Sequence, residues 1–102
     1  MRLTLENGEK TVTLISTGSD VSMDVQRTPR IGSHDHVMQM MTGHVSPRAE
    51  NAGYLRVTPE ARNRERLLAA IDRDFGRPEA LNRRDQQRLG DFLDHAFGQE
   101  TP

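Results

Sequence analysis

The stretch RLTLENGEKTVTLI, residues 2–15, constrains this chain more than any other. Apolar and polar residues alternate on both sides of Asn7-Gly8. A period of two sends successive side chains to opposite faces of an extended strand. Asn-Gly is the strongest short hairpin signal, because a type I′ turn needs positive φ at both central residues. With Asn7-Gly8 as that loop, Glu6 pairs with Glu9, Leu5 with Lys10, Leu3 with Val12 and Met1 with Leu14. Paired residues share a face, so Met1, Leu3, Leu5, Val12 and Leu14 line one side. Arg2, Thr4, Glu6, Glu9, Thr11 and Thr13 line the other. That pattern suits a sheet with one face on a core and one in water. Lys10 alone intrudes on the apolar side, near the turn, where its aliphatic stem can lie along apolar surface with the ammonium in water.

STGSD (16–20) is a second turn cluster. VSMDVQ then alternates again, with Val21, Met23 and Val25 on one face, which gives a three-strand meander. RTPRIGS (27–33) breaks the pattern, since Pro29 and Gly32 suit neither a central strand nor a helix interior. Residues 45–53 read as a loop, and YLRV (54–57) as a fourth short strand.

Two helices follow. Thr58 is placed to cap the first, with Pro59 at the first helical position and Glu60 in the first turn. Ala61, Leu67, Leu68, Ile71 and Phe75 fall within an arc of about 120°, a core-facing stripe. Gly76 is placed to end the helix in a left-handed cap, and Arg77-Pro78 forbids continuation. Asn82 is a good N-cap for the second helix, with Asp85 three residues on. Leu89, Phe92, Leu93, Ala96 and Phe97 form its stripe, and Gly98 can end it. Gly90 inside this helix costs about 1 kcal/mol relative to Ala and would allow a neighbouring helix to approach closely. A sheet with one apolar face and two amphipathic helices can bury each other. The expected fold is therefore α+β in two layers, an N-terminal antiparallel meander of three to four strands packed on a C-terminal helix pair. It forms one domain over 1–98, with 99–102 a frayed tail.

Hydrophobic residues make up 33% of the 102 and aromatics 4%, a thin supply for a core. Within the usual stability range of about 5–15 kcal/mol, that points to the low end or to help from a partner chain. The chain has no cysteine, which excludes disulfides, thiolate metal sites and cysteine nucleophiles. The N-terminal residues lack the apolar run of a signal peptide, and no segment approaches the ~18 apolar residues of a membrane span. The expected location is cytoplasmic.

SHDHVMQMMTGH (33–44) holds three of the four histidines and three of the five methionines. As a short helix, it would turn Val37, Met38 and Met41 inward, with Ser33 capping and Gly43 ending it. His34 and His36 would then stand about 200° apart and could not share an ion. As a strand, it would place His34, His36, Met38 and Met40 on one side, with His44 beyond, a set suited to a soft ion such as Cu(I). Methionine fills irregular gaps, and a chain short of aromatics has such gaps. Packing is the expectation, with no cofactor and no metal, and coordination is the alternative.

No catalytic constellation emerges. His34-Asp35-His36 are adjacent in sequence, which does not orient a carboxylate onto an imidazole beside a nucleophile. Neither a phosphate-binding glycine loop nor an HExxH helix is present. The most informative surface feature is a row of arginines. Arg62, Arg66, Arg73 and Arg77 fall within about 60° opposite the apolar arc, provided that Arg77 keeps helical phase past Gly76. Arg84 and Arg88 repeat the spacing on the second helix. These six are the candidate partner-binding residues, for an acidic protein surface or, less readily at a net charge of −1, a nucleic-acid backbone. The expectation is a small non-enzymatic binding or regulatory protein acting by protein contact, as inhibitors, antitoxin-like partners and adaptors of bacteria and their mobile elements do. A homodimer is expected, through a sheet edge or through the second helix at Gly90 and Phe97.

Overall fold

In the computed structural model, residues 1–27 and 51–98 are described. Four strands come first: β1 (Arg2–Glu6), β2 (Lys10–Ser16), β3 (Val21–Arg27) and β4 (Asn51–Val57). They form one antiparallel sheet in the order β1-β2-β3-β4. Helix α1 (Asn63–Asp74), a 3-10 turn at Pro78–Ala80 and helix α2 (Arg83–Phe97) follow. The fold is α+β, with helices packed on one face of the meander. Leu3, Leu5, Val12, Leu14, Val21, Met23, Val25 and Val57 of the sheet meet Leu67, Ala70, Ile71, Phe75, Leu89, Phe92, Leu93, Ala96 and Phe97 in one core. Every inward position predicted for β3 and α2 is buried.

The first hairpin corrects its expected register. Glu6 pairs with Thr11, Leu5 with Val12 and Leu3 with Leu14. Gly8 has φ +88°, and among the described residues no non-glycine residue has positive φ. Positive φ at the first central residue alone is the type II′ signature, so the loop is Gly8-Glu9 rather than Asn7-Gly8. Moving the loop by one residue changes the pairing by two, so each side chain keeps its face. Met1 is the exception to the predicted face, being 53% exposed. Asn7 is freed from the turn centre. Its Oδ1 accepts from the Glu9 and Lys10 N–H groups at 3.1 and 2.8 Å, and its Nδ2 donates to the Phe75 carbonyl at 2.9 Å. Lys10 Nζ donates to the Asp74 carbonyl at 2.8 Å. Both side chains thus satisfy carbonyls that a helix C-terminus leaves unpaired, and Lys10 adds a cation at the negative end of α1.

β4 begins at Asn51, inside the stretch read as a loop. A bulge between Val25 and Gln26 opposite Asn51–Gly53 admits the extra residue. Gly53 is required by tertiary packing. A Cβ there would stand 2.6 Å from Asp74 Cγ, because the end of α1 crosses β4 at this point.

Helix α1 starts at Asn63, five residues after Thr58, and Thr58 is not its cap. Thr58 instead organises the corner before the helix. Its Oγ1 donates to Glu60 Oε1, while Asn63 Nδ2 donates to both Thr58 oxygens, all at 3.0 Å. Ala61 consequently lies exposed in that corner, and Ala70 takes an inward place. Gly76 follows the helix with φ +157°, outside the left-handed helical region expected of it. Its N–H and that of Phe75 both bond to the Ile71 carbonyl at 2.9 Å. Helix α2 behaves as predicted at both ends. Asn82 caps it by accepting from the Asp85 N–H at 2.8 Å, and Gly98 ends it at φ +78°. Gly90 admits no close neighbour, since a Cβ there would meet nothing within 4 Å among the described residues. Arg64 on α1 joins the helices by donating to Asp94 at 2.8 Å.

Candidate interaction surface

Among the described residues, helices cover only the inner face of the sheet. On the outer face, strand register sets side chains in rows: Arg2, Ile15, Ser22 and Arg56 in one, and Thr4, Thr13, Asp24 and Tyr54 in the next. The twist natural to antiparallel strands makes such a surface concave along one diagonal. Here it forms an open concavity of about 470 Å³ whose walls include Thr11, Thr13, Ile15, Asp24, Gln26 and Tyr54. Two of the three exposed large apolar side chains among the described residues stand on this face, Tyr54 at 58% and Ile15 at 37% exposure. Around them are hydroxyls and amides. The two arginines of this face, Arg2 and Arg56, are matched in number by two carboxylates, Glu6 and Asp24, so the face carries no strong field of either sign. Asp24 accepts from Asn51 Nδ2 at 3.1 Å, and Arg56 is bonded to Asp20 at the end of the second turn. That bond and the adjacent carboxylate hold the Arg56 guanidinium above its ordinary pKa.

The six arginines do not form one continuous row. Arg62 precedes α1 and bonds to Glu60 at 2.9 Å. Arg73 forks onto both oxygens of Asp74 at 2.9 Å. This fork holds the Asp74 carboxyl below its ordinary value, with burial opposing and the charges of Arg73 and Lys10 adding. Arg77 has φ −63° and ψ 125°, an extended backbone that ends the helical phase. Arg88 bonds to Asp85 at 3.2 Å. Arg66, Arg77 and Arg84 are exposed with no side-chain partner among the described residues. The arrangement leaves three separated uncompensated cations in place of a stripe.

His34, His36, Met38, Met40 and His44 lie outside the described residues. Among the described residues no three His, Cys, Asp or Glu side chains converge as a metal site, and no helix is long and apolar enough to cross a membrane.

The outer face was missed at the level of sequence although a signal for it is present. Ile15 follows Leu14, and Tyr54 precedes Leu55, so in each pair an apolar residue occupies the outward parity of its strand. A break in alternation of this kind marks an apolar group that the core does not claim.

The architecture places the chain among small α+β domains, an antiparallel meander with helices on one face and, among the described residues, nothing on the other. Its sequence and structure match no known family, no curated protein and no solved structure.

Proposed function

We propose that this chain is a small non-enzymatic binding protein that acts by protein contact through the outer face of its sheet. The observation that carries this reading is Tyr54, an exposed aromatic that shares with Ile15 a concavity otherwise walled by Thr, Ser and Gln and by the opposite charges of Arg2 and Asp24. Tyrosine supplies large contact area at low entropic cost and is enriched where binding energy concentrates, while hydroxyls and amides supply adaptable hydrogen bonds. The near-balance of charge on this face favours a polar, nearly neutral protein partner. The six arginines, three of them already paired, offer less to an acidic partner or to a phosphate backbone, whose capture depends on summed free charge. Self-association as a homodimer belongs to the same reading.

The test is affinity capture from the native host with matched variants. A partner retained by the wild type should be lost with Tyr54→Ser and with Thr13→Arg, and kept with Arg66→Glu plus Arg84→Glu. The reverse pattern, or binding that is to nucleic acid and falls steeply with salt, would move the site to the helices and overturn the reading.

A further inference from the structure

The two edges of the sheet differ. The β4 edge is bent by a bulge and carries Gly53 beneath the end of α1. The β1 edge has regular pairing over its five residues and contains neither proline, lysine nor a bulge. Those are the devices by which natural sheets blunt an edge against another chain. We infer that β1 pairs antiparallel with β1 of a second copy of this chain, on a two-fold axis at Thr4, joining two meanders into one eight-stranded sheet.

Backbone phase supports this register. The Ser16 N–H donates to the Met1 carbonyl at 2.8 Å, and the Asn7 N–H to the Lys10 carbonyl at 3.2 Å. Hydrogen-bonded pairs alternate along an antiparallel ladder. Met1, Leu3, Leu5 and Asn7 therefore turn their backbone groups toward β2, and Arg2, Thr4 and Glu6 turn theirs to the edge that no strand among the described residues pairs with. Centring the axis on Thr4 pairs Thr4 with its own copy and Arg2 with Glu6 of the second copy, all through outward-turned groups. This register pairs all five residues of the strand. A shift by two in either direction leaves the end of one strand beyond its partner.

Side chains support the same register. Arg2, Thr4 and Glu6 are exposed on the outer face, and none has a side-chain partner among the described residues. Under the two-fold axis each Arg2 faces a Glu6, so the segment Arg-Leu-Thr-Leu-Glu is complementary in charge to its own reverse. Leu3 faces Leu5 on the inner side, but both are already 95% or more buried, at 5% and 2% exposure. Little new apolar area is covered. The pairing rests on backbone hydrogen bonds and two ion pairs, and it is smaller than the roughly 800 Å² per partner of a standard stable interface. Dissociation in the micromolar range follows.

This inference builds on the homodimer of the proposed function and is independent of the Tyr54 face. Sedimentation equilibrium between 1 and 300 µM (roughly the range such a weak interface requires) tests it with four variants. Thr4→Pro removes the central N–H of the dimer ladder and none that bonds to β2, so it should give a monomer with the wild-type circular dichroism spectrum. Arg2→Glu and Glu6→Arg should each raise the dimer Kd by about tenfold, two like-charge pairs replacing two opposite ones. The double exchange, Arg2→Glu with Glu6→Arg, should restore the wild-type Kd, because the partners merely trade places. A wild type that stays monomeric throughout, or a dimer indifferent to these changes, overturns the pairing. A double exchange no better than the single ones overturns the register. If the Tyr54 and Thr13 variants dimerise normally but lose the captured partner, both proposals stand. Loss of the dimer alone removes this one and the homodimer of the proposed function, and leaves the Tyr54 face standing.

Discussion

The two hairpin turns of the meander are one local structure in two settings. In Asn7-Gly8-Glu9-Lys10 and in Thr17-Gly18-Ser19-Asp20 the glycine has φ +88° and +89°. The first residue's N–H bonds to the fourth residue's carbonyl at 3.2 and 3.0 Å. The first residue's side-chain oxygen accepts from the next-but-one and following N–H groups, at 3.1 and 2.8 Å for Asn7 and 3.4 and 3.2 Å for Thr17. Their connections differ. Asn7 and Lys10 reach across 68 and 64 residues of sequence to the last carbonyls of α1. The second turn reaches out only through the exposed pair of Asp20 with Arg56. An asparagine has an oxygen for its own turn and an amide nitrogen to spare, whereas the hydroxyl of Thr17 is used within the turn. Local sequence is thus enough to shape a turn, and a second functional group is needed to couple it to the rest of the fold.

The largest effects should come from the glycines. Gly8→Val and Gly18→Val each force a β-branched residue to positive φ and should destabilise by ~1–3 kcal/mol in denaturant unfolding. Gly8→Val should cost more, since displacing its turn also releases two helix carbonyls. Equal losses would mean that the ties to α1 carry no net energy.

Removing the turn acceptors sharpens the contrast. Asn7→Ala should cost about 2 kcal/mol and Thr17→Ala about 1, because each makes three hydrogen bonds but those of Asn7 are shorter and one of them satisfies a helix carbonyl. Asn7→Asp keeps the turn's acceptor, deletes the donor to Phe75 and sets a carboxylate at the negative end of α1. It should retain most of the Asn7→Ala loss, and wild-type stability in this variant would break the comparison.

A smaller difference is expected between the charged residues that close the turns. Lys10→Met should lower stability by about 1 kcal/mol through the unpaired Asp74 carbonyl, and Asp20→Ala by no more than about 0.5, as is usual for an exposed ion pair. The smallest effect is pH-dependent. Asp74 lies below its ordinary 3.8, mainly through the hydrogen bonds from Arg73. A depressed folded pKa means that the contribution is fully present above the unfolded value and is lost as pH falls through the folded one. The stability gap between wild type and Asp74→Asn should therefore be constant from neutral pH down to about 4 and close below it, as urea unfolding at stepped pH would record.

Much of this architecture is set by short-range pattern. Strand parity determined which residues of β1, β2 and β3 face the core, because a period of two survives a shift of the loop. Helix α2 was legible from Asn82 to Gly98, since its cap, stripe and stop all act within one or two turns of the chain. Other features depend on contacts far apart in sequence. Thr58-Pro59-Glu60 has the local signature of a helix start, yet the chain must first turn the corner from buried Val57, and Asn63 draws Thr58 into that corner. Asn51-Ala52-Gly53 looks like loop by composition and becomes strand because β3 offers a partner and the end of α1 leaves room only for glycine. The arginine row required helical phase past Gly76, which the chain gives up when Gly76 and the extended Arg77 redirect it. The sequence alone determined periodicity, and with it the faces of strands and helices, because alternation and caps act between near neighbours. Tertiary structure alone decided where α1 begins, which charges are already paired and which sheet face stays open, because these depend on which distant groups compete for the same carbonyl, carboxylate or space.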